Sequence, residues 1–187
     1  EMLKIFEISL KEAKYLVNFC KKKKINVLFS CFDEESLKIF NDQFIKYIKI
    51  PSGEINNLPL LKKISKFKKK IILSVGNSYE KEVKVAIKLI NQNFKKNITI
   101  LHCVSDYPAK NNDMNLNTIK YLKKKFNCDI GLSDHSTSIE IPSLAVSLGA
   151  KIIEKHITDN NYQKGPDHKA SLNIQNFKKM ILKIRET

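Results

Sequence analysis

Residues 130–156 read IGLSDHSTSIEIPSLAVSLGAKIIEKH, and this stretch decides the fold. A short apolar run at 130–132 predicts a buried strand, and the apolar spacing at 141–148 predicts a helix that Gly149 closes. A second apolar run within 151–156 predicts the next strand. A strand, a helix and a further strand in this order are typical of a parallel sheet, because the helix carries the chain back to the start of the neighbouring strand.

The same alternation runs through the rest of the chain. A first helix is predicted at 9–22, where Ser9 and Glu12 form a capping box. Six units follow, each a strand and then a helix. The predicted strands are 26–30, 47–51, 71–75, 98–104, 130–132 and 151–156, and the helices that follow them are 34–40, 58–67, 80–90, 116–126, 141–148 and 174–184.

Polar residues stand at the carboxyl end of every predicted strand, and no Gly-x-Gly-x-x-Gly turn for a nucleotide follows any of them. Both observations favour an α/β fold of the (β/α)8 TIM-barrel type over a doubly wound sheet, because a barrel builds its site from the loops after its strands. A complete barrel has eight strands, so the sequence predicts an incomplete one. The opening residues 1–6 resemble the middle of a chain, which agrees with this prediction.

The composition points to an anionic partner. The 187 residues include 34 lysines and arginines against 19 acidic residues, a formal net charge of +15. Arg185 is the only arginine and the lysine runs lack interleaved aromatic residues, which disfavours nucleic acid and leaves a small phosphate or carboxylate ligand or a solvated lysine surface. Widely spaced cysteines indicate free thiols, and no apolar run is long enough for a membrane span, so we expect a cytoplasmic protein without a membrane partner.

Two histidines, His135 and His156, end neighbouring predicted strands and are suited to share a metal ion, with structural hydrogen bonds as the alternative. His102 lies inside a strand and is expected to be structural. Glu54 is a candidate for proton transfer or for capping the next helix. Lys49 stands between two isoleucines within a strand, where an ammonium group requires an anionic partner. Further candidates are the serines at four strand ends (Ser30, Ser52, Ser74, Ser133), the loop 165–171 as a binding loop, and Asp134 as a helix or turn cap.

Six motifs resemble the sialic acid synthase family, that of the bacterial N-acetylneuraminate synthases, which condense phosphoenolpyruvate with N-acetylmannosamine. They occur in the family's order and cover nearly the whole chain. The motifs are Lys-Ile-Pro-Ser-Gly-Glu-Ile at 49–55, Ile-Leu-Ser-x-Gly at 72–76, Leu-His-Cys-Val-Ser-x-Tyr-Pro at 101–108, Gly-Leu-Ser-Asp-His-Ser at 131–136, Gly-Ala-Lys-Ile-Ile-Glu-Lys-His at 149–156 and Gly-Pro-Asp-His-Lys-Ala-Ser-Leu at 165–172.

The resemblance implies that residues 1–187 form part of a TIM barrel, its third to eighth strands, with the first two strands and a C-terminal antifreeze-like domain absent. The resemblance also implies that His135 and His156 hold a manganese or magnesium ion. These two histidines and Glu54 are the implied catalytic residues. Glu54, Tyr107 and Asp167 are implied to hold the amino sugar. The residues implied to contact phosphoenolpyruvate are Ser30, Lys49, Ser52, Ser74, Ser105 and Ser133.

Three alternatives to an N-acetylneuraminate synthase stay open: a legionaminic acid synthase, a pseudaminic acid synthase and a non-catalytic barrel remnant. Legionaminic and pseudaminic acid synthases of the same family use diacetamido sugars, and the loop 167–171 resembles the neuraminate and legionaminate types more closely. A non-catalytic barrel remnant is the third. We expect the chain alone to be inactive and poorly stable, because an open sheet exposes its edges, and we expect a homodimer in the full-length form.

Overall fold

The computed structural model describes residues 7–95 and 97–187, and the chain divides into two compact units. The first unit contains Glu1–Ile72 and Glu80–Asn97, and the second contains Leu73–Tyr79 and Ile98–Thr187. The opening segment 1–6, which the sequence assigns to the middle of a chain, lies outside the described residues.

Helices and strands alternate in the first unit, as the apolar pattern predicts. Lys49 forms a parallel bridge with Ser30, and the Lys70 N–H donates to the Lys46 carbonyl at 3.1 Å. The last two residues of the strand Lys70–Ser74 belong to the second unit. The elements are α1 (Leu10–Lys23), β1 (Tyr47–Ile50), α2 (Leu58–Ile64), β2 (Lys70–Ser74) and α3 (Glu80–Ile90).

Helix α1 begins where the sequence predicts. The Ser9 side chain accepts the N–H of Glu12 at 3.2 Å, and the Glu12 carboxylate accepts the N–H of Ser9 at 2.8 Å. This reciprocal capping box satisfies two backbone donors that a helix start otherwise leaves without a partner. The helix ends at Lys23, and its C-cap residue Lys24 has a left-handed φ of 56°. The helix buries Ala13 and Val17.

The second unit contains the longest parallel ladder. Strands β3, β4 and β5 pair in that order, with Cys103 beside Ser133 and Ser133 beside Glu154. The Val75 N–H donates to the Leu101 carbonyl at 3.0 Å, so the chain that leaves β2 runs beside β3. The elements are β3 (Ile98–Cys103), α4 (Thr118–Phe126), β4 (Asp129–Asp134), α5 (Ile141–Ser147), β5 (Ile153–Lys155), β6 (Ile157–Thr158), β7 (Leu172–Asn173) and α6 (Ile174–Glu186).

Strand β3 is buried along its whole length, which explains why its sequence is an almost continuous apolar run. Gly131 of β4 pairs with Leu101 of β3. A Cβ atom at Gly131 would collide with the Leu101 side chain and with the carbonyl of Ile152. Glycine at this position therefore allows β3 and the segment before β5 to approach β4 closely.

The predicted strand at 26–30 is wrong except at its last residue. Within the described chain, this segment pairs with β1 at one bridge, Ser30 with Lys49, and the Phe29 carbonyl accepts the Lys49 N–H at 3.3 Å. A ladder needs repeated pairs of this kind, and Leu28 is 40% exposed, so its apolar side chain is not buried as in an inner strand.

The predicted helix at 34–40 is a 3-10 helix over Ser36–Asn41. The Asp33 carboxylate accepts the Ser36 N–H at 2.9 Å, in the turn that precedes this helix. Leu37 and Phe40 are both buried and lie three residues apart, which matches the three residues per turn of a 3-10 helix. Helix α3 has the predicted bounds, and the other predicted elements agree in type and differ at their ends. Two short strands, Ile157–Thr158 and Leu172–Asn173, are not predicted.

Several large apolar side chains remain exposed on both units. In the first unit, Tyr15 and Phe19 are 69% and 47% exposed, and Phe32 is 62% exposed. In the second, Ile157 and Leu182 are 54% and 62% exposed. The low stability expected of the isolated chain stays a prediction.

Lys155 and Asp134 form a buried ion pair that the sequence analysis does not predict. The Lys155 Nζ lies 2.6 Å from Asp134 Oδ2, and the two side chains are 1% and 0% exposed. Burial lowers the pKa of Lys155, and the neighbouring Asp134 carboxylate opposes that shift. Asp134 Oδ1 also accepts the Ser136 N–H at 2.8 Å, which confirms the turn-capping role predicted for Asp134.

Replacing Lys155 alone is expected to destabilise the chain strongly. Lys155→Met leaves the Asp134 carboxylate buried without its cation and should lower the free energy of unfolding by about 3–5 kcal/mol. The double variant Asp134→Asn, Lys155→Met carries no buried charge and should recover most of this loss. Urea unfolding at pH 7 measures both, with Lys151→Met as an exposed-lysine control. Equal unfolding midpoints for Lys155→Met and Lys151→Met would contradict the expectation.

His102 has the structural role that its position within a strand predicts. Its Nε2 donates to the Met114 carbonyl at 2.7 Å, and the residue is 8% exposed. Burial lowers the pKa of His102, and the hydrogen bond to Met114 partly opposes this. The folded chain therefore holds this imidazole neutral at pH values where the unfolded chain protonates it.

The pH dependence of stability follows from this shift. Because the folded pKa of His102 is depressed, its contribution to stability is present above the unfolded pKa of about 6.5 and is lost as the pH falls through the folded pKa. The slope from this one group is at most about 1.4 kcal/mol per pH unit. His102→Gln keeps a donor for Met114 and should flatten the fall in thermal midpoint between pH 7 and pH 5. An unchanged fall would contradict this assignment.

Candidate active site

The second unit brings together five of the residues that the sequence singles out. Tyr107 follows β3, Ser133 and His135 stand at the end of β4, His156 follows β5, and Asp167 lies in the loop between β6 and β7. Consecutive parallel strands end at the same edge of a sheet, which explains why residues so far apart in sequence meet here.

Hydrogen bonds at both ring nitrogens hold the His135 imidazole in one orientation. Its Nδ1 donates to the Val104 carbonyl at 2.7 Å, because a carbonyl oxygen can only accept. In the neutral ring, Nε2 then carries a lone pair, which faces the Tyr107 hydroxyl at 3.1 Å and the Ser133 Oγ at 3.2 Å. Tyr107 also stacks on the imidazole, with ring centroids 4.1 Å apart.

Burial favours the uncharged forms of the His135 imidazole and the Tyr107 phenol. It lowers the pKa of His135, against the opposing effect of the hydrogen bond to Val104, and the nearby His156 lowers that pKa further. Burial also raises the pKa of Tyr107, as do the neighbouring charges of Asp167 and Glu154. Near neutral pH, a protonated phenol therefore donates to a neutral imidazole.

Glu154 belongs to this cluster, and the sequence analysis did not name it as a site residue. Its carboxylate accepts the Ser133 hydroxyl at 2.6 Å, and the two residues are register partners across β4 and β5. Because Ser133 has one O–H, the hydroxyl that donates to His135 is that of Tyr107. The alternation of side chains along a strand, with Glu154 two residues before His156, is the signal that identifies it.

His156 lies on the open side of the cluster. Its ring centroid is 5.6 Å from that of His135 and 5.8 Å from that of Tyr107. The Nδ1 of His156 lies 3.9 Å from Asp167 Oδ2, too far for a hydrogen bond. The side chains of His156 and Asp167 are 35% and 49% exposed, so both are accessible to a ligand.

The loop that carries Asp167 is ordered by its own hydrogen bonds. Asn161 donates to the carbonyls of His168 and Ser171 at 2.8 and 2.7 Å, and the Ser171 hydroxyl donates to the Asp167 carbonyl at 2.8 Å. Strands β6 and β7 pair in parallel at its two ends. The predicted binding loop is thus held by internal hydrogen bonds and brings Asp167 near His156.

The two histidines fit a divalent metal ion. Histidine ligands usually donate their second ring N–H to a carbonyl or carboxylate, and His135 does so to Val104 while its Nε2 lone pair points into the cluster. Within residues 7–95 and 97–187, no group of three or more histidine, cysteine, aspartate or glutamate side chains is arranged to hold a metal. Among these residues, His135 and His156, whose ring centroids lie 5.6 Å apart, are the candidate protein ligands.

Ser74 is the last residue of β2, and Ser105 lies near the chain that leaves this strand. Ser74 is 3% exposed, and its Oγ is the buried side-chain atom for which the described chain provides no hydrogen-bond partner. Ser105 is exposed, and its Oγ lies beside Gly76. The Gly76 N–H donates to the Cys103 Sγ at 3.1 Å. A hydroxyl group buried without a partner is unfavourable, so Ser74 is the most direct candidate for a ligand contact.

The four remaining predicted site residues belong to the first unit. Ser30 and Lys49 are bridge partners, and Lys49 is 7% exposed. Ser52 and Glu54 form a 3-10 turn directly after β1. The Glu54 Oε2 accepts the Asn57 side chain at 2.7 Å, and Asn57 in turn caps α2 through the Leu60 N–H. Glu54 thus braces the N-cap residue of the next helix rather than capping it directly.

Comparisons with known proteins identify the class. The model of the NeuB family matches residues 1–187, so the chain belongs to the NeuB family. It is 46% identical to the N,N'-diacetyllegionaminic acid synthase of Campylobacter jejuni, over 100% of the chain and 56% of that protein. It is 35% identical to the N-acetylneuraminate-9-phosphate synthase of Drosophila melanogaster, over 95% of the chain and 48% of that protein. The chain thus spans about half the length of these curated relatives, which are sugar-acid synthases.

A solved structure supports the fold. The chain superposes on the N-acetylneuraminic acid synthetase of Leptospira borgpetersenii with a TM-score of 0.90 and 35% identity, covering 96% of this chain and 63% of that one. The resemblance to the sialic acid synthase family and the α/β class with a parallel sheet are therefore confirmed. None of the described helices is long and apolar enough to cross a membrane.

A side chain at Gly76 is expected to disturb the site. A Cβ atom there would lie 2.5 Å from Cys103 Sγ and 2.8 Å from Ser105 Oγ, so Gly76→Ala should lower the free energy of unfolding by about 1–3 kcal/mol. The exposed Ser105 hydroxyl can rotate away, but the buried Cys103 cannot. Adding Cys103→Ala should therefore restore part of the loss in urea unfolding. Equal stability of Gly76→Ala and the wild type would contradict the close approach.

Proposed function

We propose that the protein condenses phosphoenolpyruvate with the open-chain aldehyde of an N-acetylated amino sugar, giving a 3-deoxy-2-keto sugar acid and phosphate. The observation that carries the proposal is the orientation of His135. Its Nδ1 donates to the Val104 carbonyl and its Nε2 faces Tyr107, and the His156 ring centroid lies 5.6 Å from its own. Membership of a family that contains sugar-acid synthases supports it.

A manganese or magnesium ion is proposed at His135 and His156. When bound, such an ion supplies Lewis-acid polarisation of the sugar aldehyde. The imidazole of His135 suits this role because burial keeps it neutral and its second nitrogen is fixed.

Tyr107 and Asp167 are proposed to hold the sugar near its aldehyde. The Tyr107 phenol stays protonated, because burial raises its pKa. Its O–H donates to His135 Nε2 in this structure and would have to turn from there to donate to a sugar oxygen. The half-exposed Asp167 carboxylate is an acceptor for sugar hydroxyl groups. Together they would orient the aldehyde carbon, and orientation alone lowers the barrier of a reaction between two substrates.

Phosphoenolpyruvate is assigned to the serines and the lysine by the resemblance. The buried Ser74 hydroxyl is the assignment with the strongest physical support, because a phosphate or carboxylate oxygen would accept the hydrogen bond that the described chain does not. Cationic and hydroxyl donors of this kind stabilise the negative charge that the reaction carries throughout. The remaining assigned residues are Ser30, Lys49, Ser52, Ser105 and Ser133.

The proposed reaction balances without a redox cofactor. Carbon 3 of phosphoenolpyruvate forms a bond to the aldehyde carbon, and the aldehyde oxygen gains a proton as it becomes a hydroxyl. Water adds to the electron-poor carbon 2 and loses one proton, which balances the proton that the aldehyde oxygen gains. The bond from carbon 2 to the phosphate oxygen then breaks, and the remaining hydroxyl proton leaves with the phosphate, so that the ketone forms. Glu54 is the proposed group for proton transfer.

The sugar is proposed to be a diacetamido sugar. The identity of 46% to the N,N'-diacetyllegionaminic acid synthase of Campylobacter jejuni supports this choice, and N-acetylmannosamine is the second candidate. A non-catalytic remnant is disfavoured, because the predicted site residues in the second unit remain clustered.

Phosphate release from phosphoenolpyruvate tests the proposal. The full-length gene product is incubated with Mn2+ and with either a diacetamido sugar or N-acetylmannosamine, and the 187-residue chain is assayed beside it. We expect turnover from the full-length protein, faster with the diacetamido sugar, and a loss of at least about 100-fold in His156→Ala. His102→Gln, a buried histidine outside the cluster, is the matched control and should stay active.

Two results would contradict the proposal. Absence of phosphate release from the full-length protein with every sugar would leave the non-catalytic remnant as the better account. Turnover with N-acetylmannosamine alone would overturn the diacetamido assignment and leave the synthase reaction intact.

A further inference from the structure

The last two rungs of the ladder between β4 and β5 are both polar. Ser133 pairs with Glu154 and Asp134 pairs with Lys155, and each pair is joined by its side chains at 2.6 Å. The residues directly after these rungs are His135 and His156. Side chains alternate along a strand, so the pair of Asp134 and Lys155 faces away from the side on which Ser133 meets His135.

Lys155 joins three parts of the turn that carries His135. Its Nζ donates to Asp134 Oδ2 at 2.6 Å and to the Ser136 carbonyl at 2.5 Å, and it lies 3.4 Å from the Ser138 carbonyl. Asp134 Oδ1 in turn accepts the Ser136 N–H. The residues on both sides of His135 are therefore tied to β5, the strand that leads to His156.

We propose that Lys155 is a positioning residue whose buried ion pair with Asp134 fixes the backbone that presents His135, and so sets the placement of its ring relative to His156. The consequence for metal binding rests on the proposed function, whereas the placement of His135 does not. The Lys155 Nζ acts through its contacts with Asp134 and with the carbonyls of Ser136 and Ser138. Functional side chains need support of this kind, because a displacement of a few tenths of an ångström weakens a site.

A purely structural role makes a different prediction. A buried ion pair that serves stability alone is replaceable by neutral residues with little consequence. The double variant Asp134→Asn, Lys155→Met is such a replacement. The amide oxygen introduced by Asp134→Asn would keep the acceptor for the Ser136 N–H, and the methionine would fill the volume of the lysine stem. The tie to the Ser136 carbonyl would be lost.

The experiment compares the wild type, this double variant and Lys151→Met in the full-length protein. Lys151 is an exposed lysine just before β5 and serves as the matched control. Three quantities are measured for each protein: the thermal midpoint, the Nδ1–H signal of His135 in nitrogen-15 NMR, and the Mn2+ affinity by electron paramagnetic resonance. The His135 signal is assigned by its loss in His135→Gln.

We expect the double variant to remain folded, to lose the slowly exchanging Nδ1–H signal of His135, and to bind Mn2+ about 10- to 100-fold more weakly. Lys151→Met should match the wild type in all three measurements. A double variant with the wild-type His135 signal overturns the inference, whatever its stability.

The two hypotheses fail in different ways. If the wild type neither binds Mn2+ nor releases phosphate, the proposed function fails, and a changed His135 signal in the double variant still supports the positioning role. If the wild type releases phosphate and the double variant keeps both the His135 signal and the Mn2+ affinity, the positioning role fails and the proposed function stands.

Discussion

The parallel register of β3, β4 and β5 is the constraint on which the candidate site depends. Cys103, Ser133 and Glu154 lie side by side across the three strands, and His135 and His156 each stand two residues beyond this row. A slip of one residue would turn every side chain to the opposite face. It would separate Ser133 from Glu154 and replace the histidines at the site by their neighbours in sequence. The glycine at 131 is compatible with this register, because a side chain there would collide with Leu101 and with the carbonyl of Ile152.

Local patterns in the sequence predict much of this arrangement. The capping box at Ser9 and the closing Gly149, whose φ is +100°, each depend on a few neighbouring residues, and both occur as predicted. The order of strands and helices follows from apolar periodicity. The pairing of His135 with His156 follows from one rule, that parallel strands end at one edge, and their ring centroids are indeed 5.6 Å apart.

Other features depend on register or on partners distant in sequence. The segment 26–30 has the composition of a buried strand, yet it forms a single bridge within the described chain, because a strand requires neighbours and not only apolar side chains. In the sequence, Lys155 does not stand out from the many other lysines, most of which resemble solvated surface residues. Its burial becomes evident only when the ladder places it opposite Asp134. Glu154 gains its contact with Ser133 in the same way.

The hydrogen-bonding capacity of each polar group separates supporting residues from residues available to a ligand. The Nδ1 of His135, the hydroxyl of Ser133 and the ammonium group of Lys155 are already engaged by Val104, Glu154 and Asp134. Ser74 Oγ is buried without a partner among the described residues, and His156 and Asp167 stand near each other without a hydrogen bond. A fold keeps an unsatisfied buried hydroxyl at a loss of about 1–3 kcal/mol, which a ligand that accepts the bond would recover. By this criterion Ser133 differs from Ser74: it would have to exchange its bond with Glu154 before it donated to phosphoenolpyruvate, so its first role is to fix Glu154 beside the histidines.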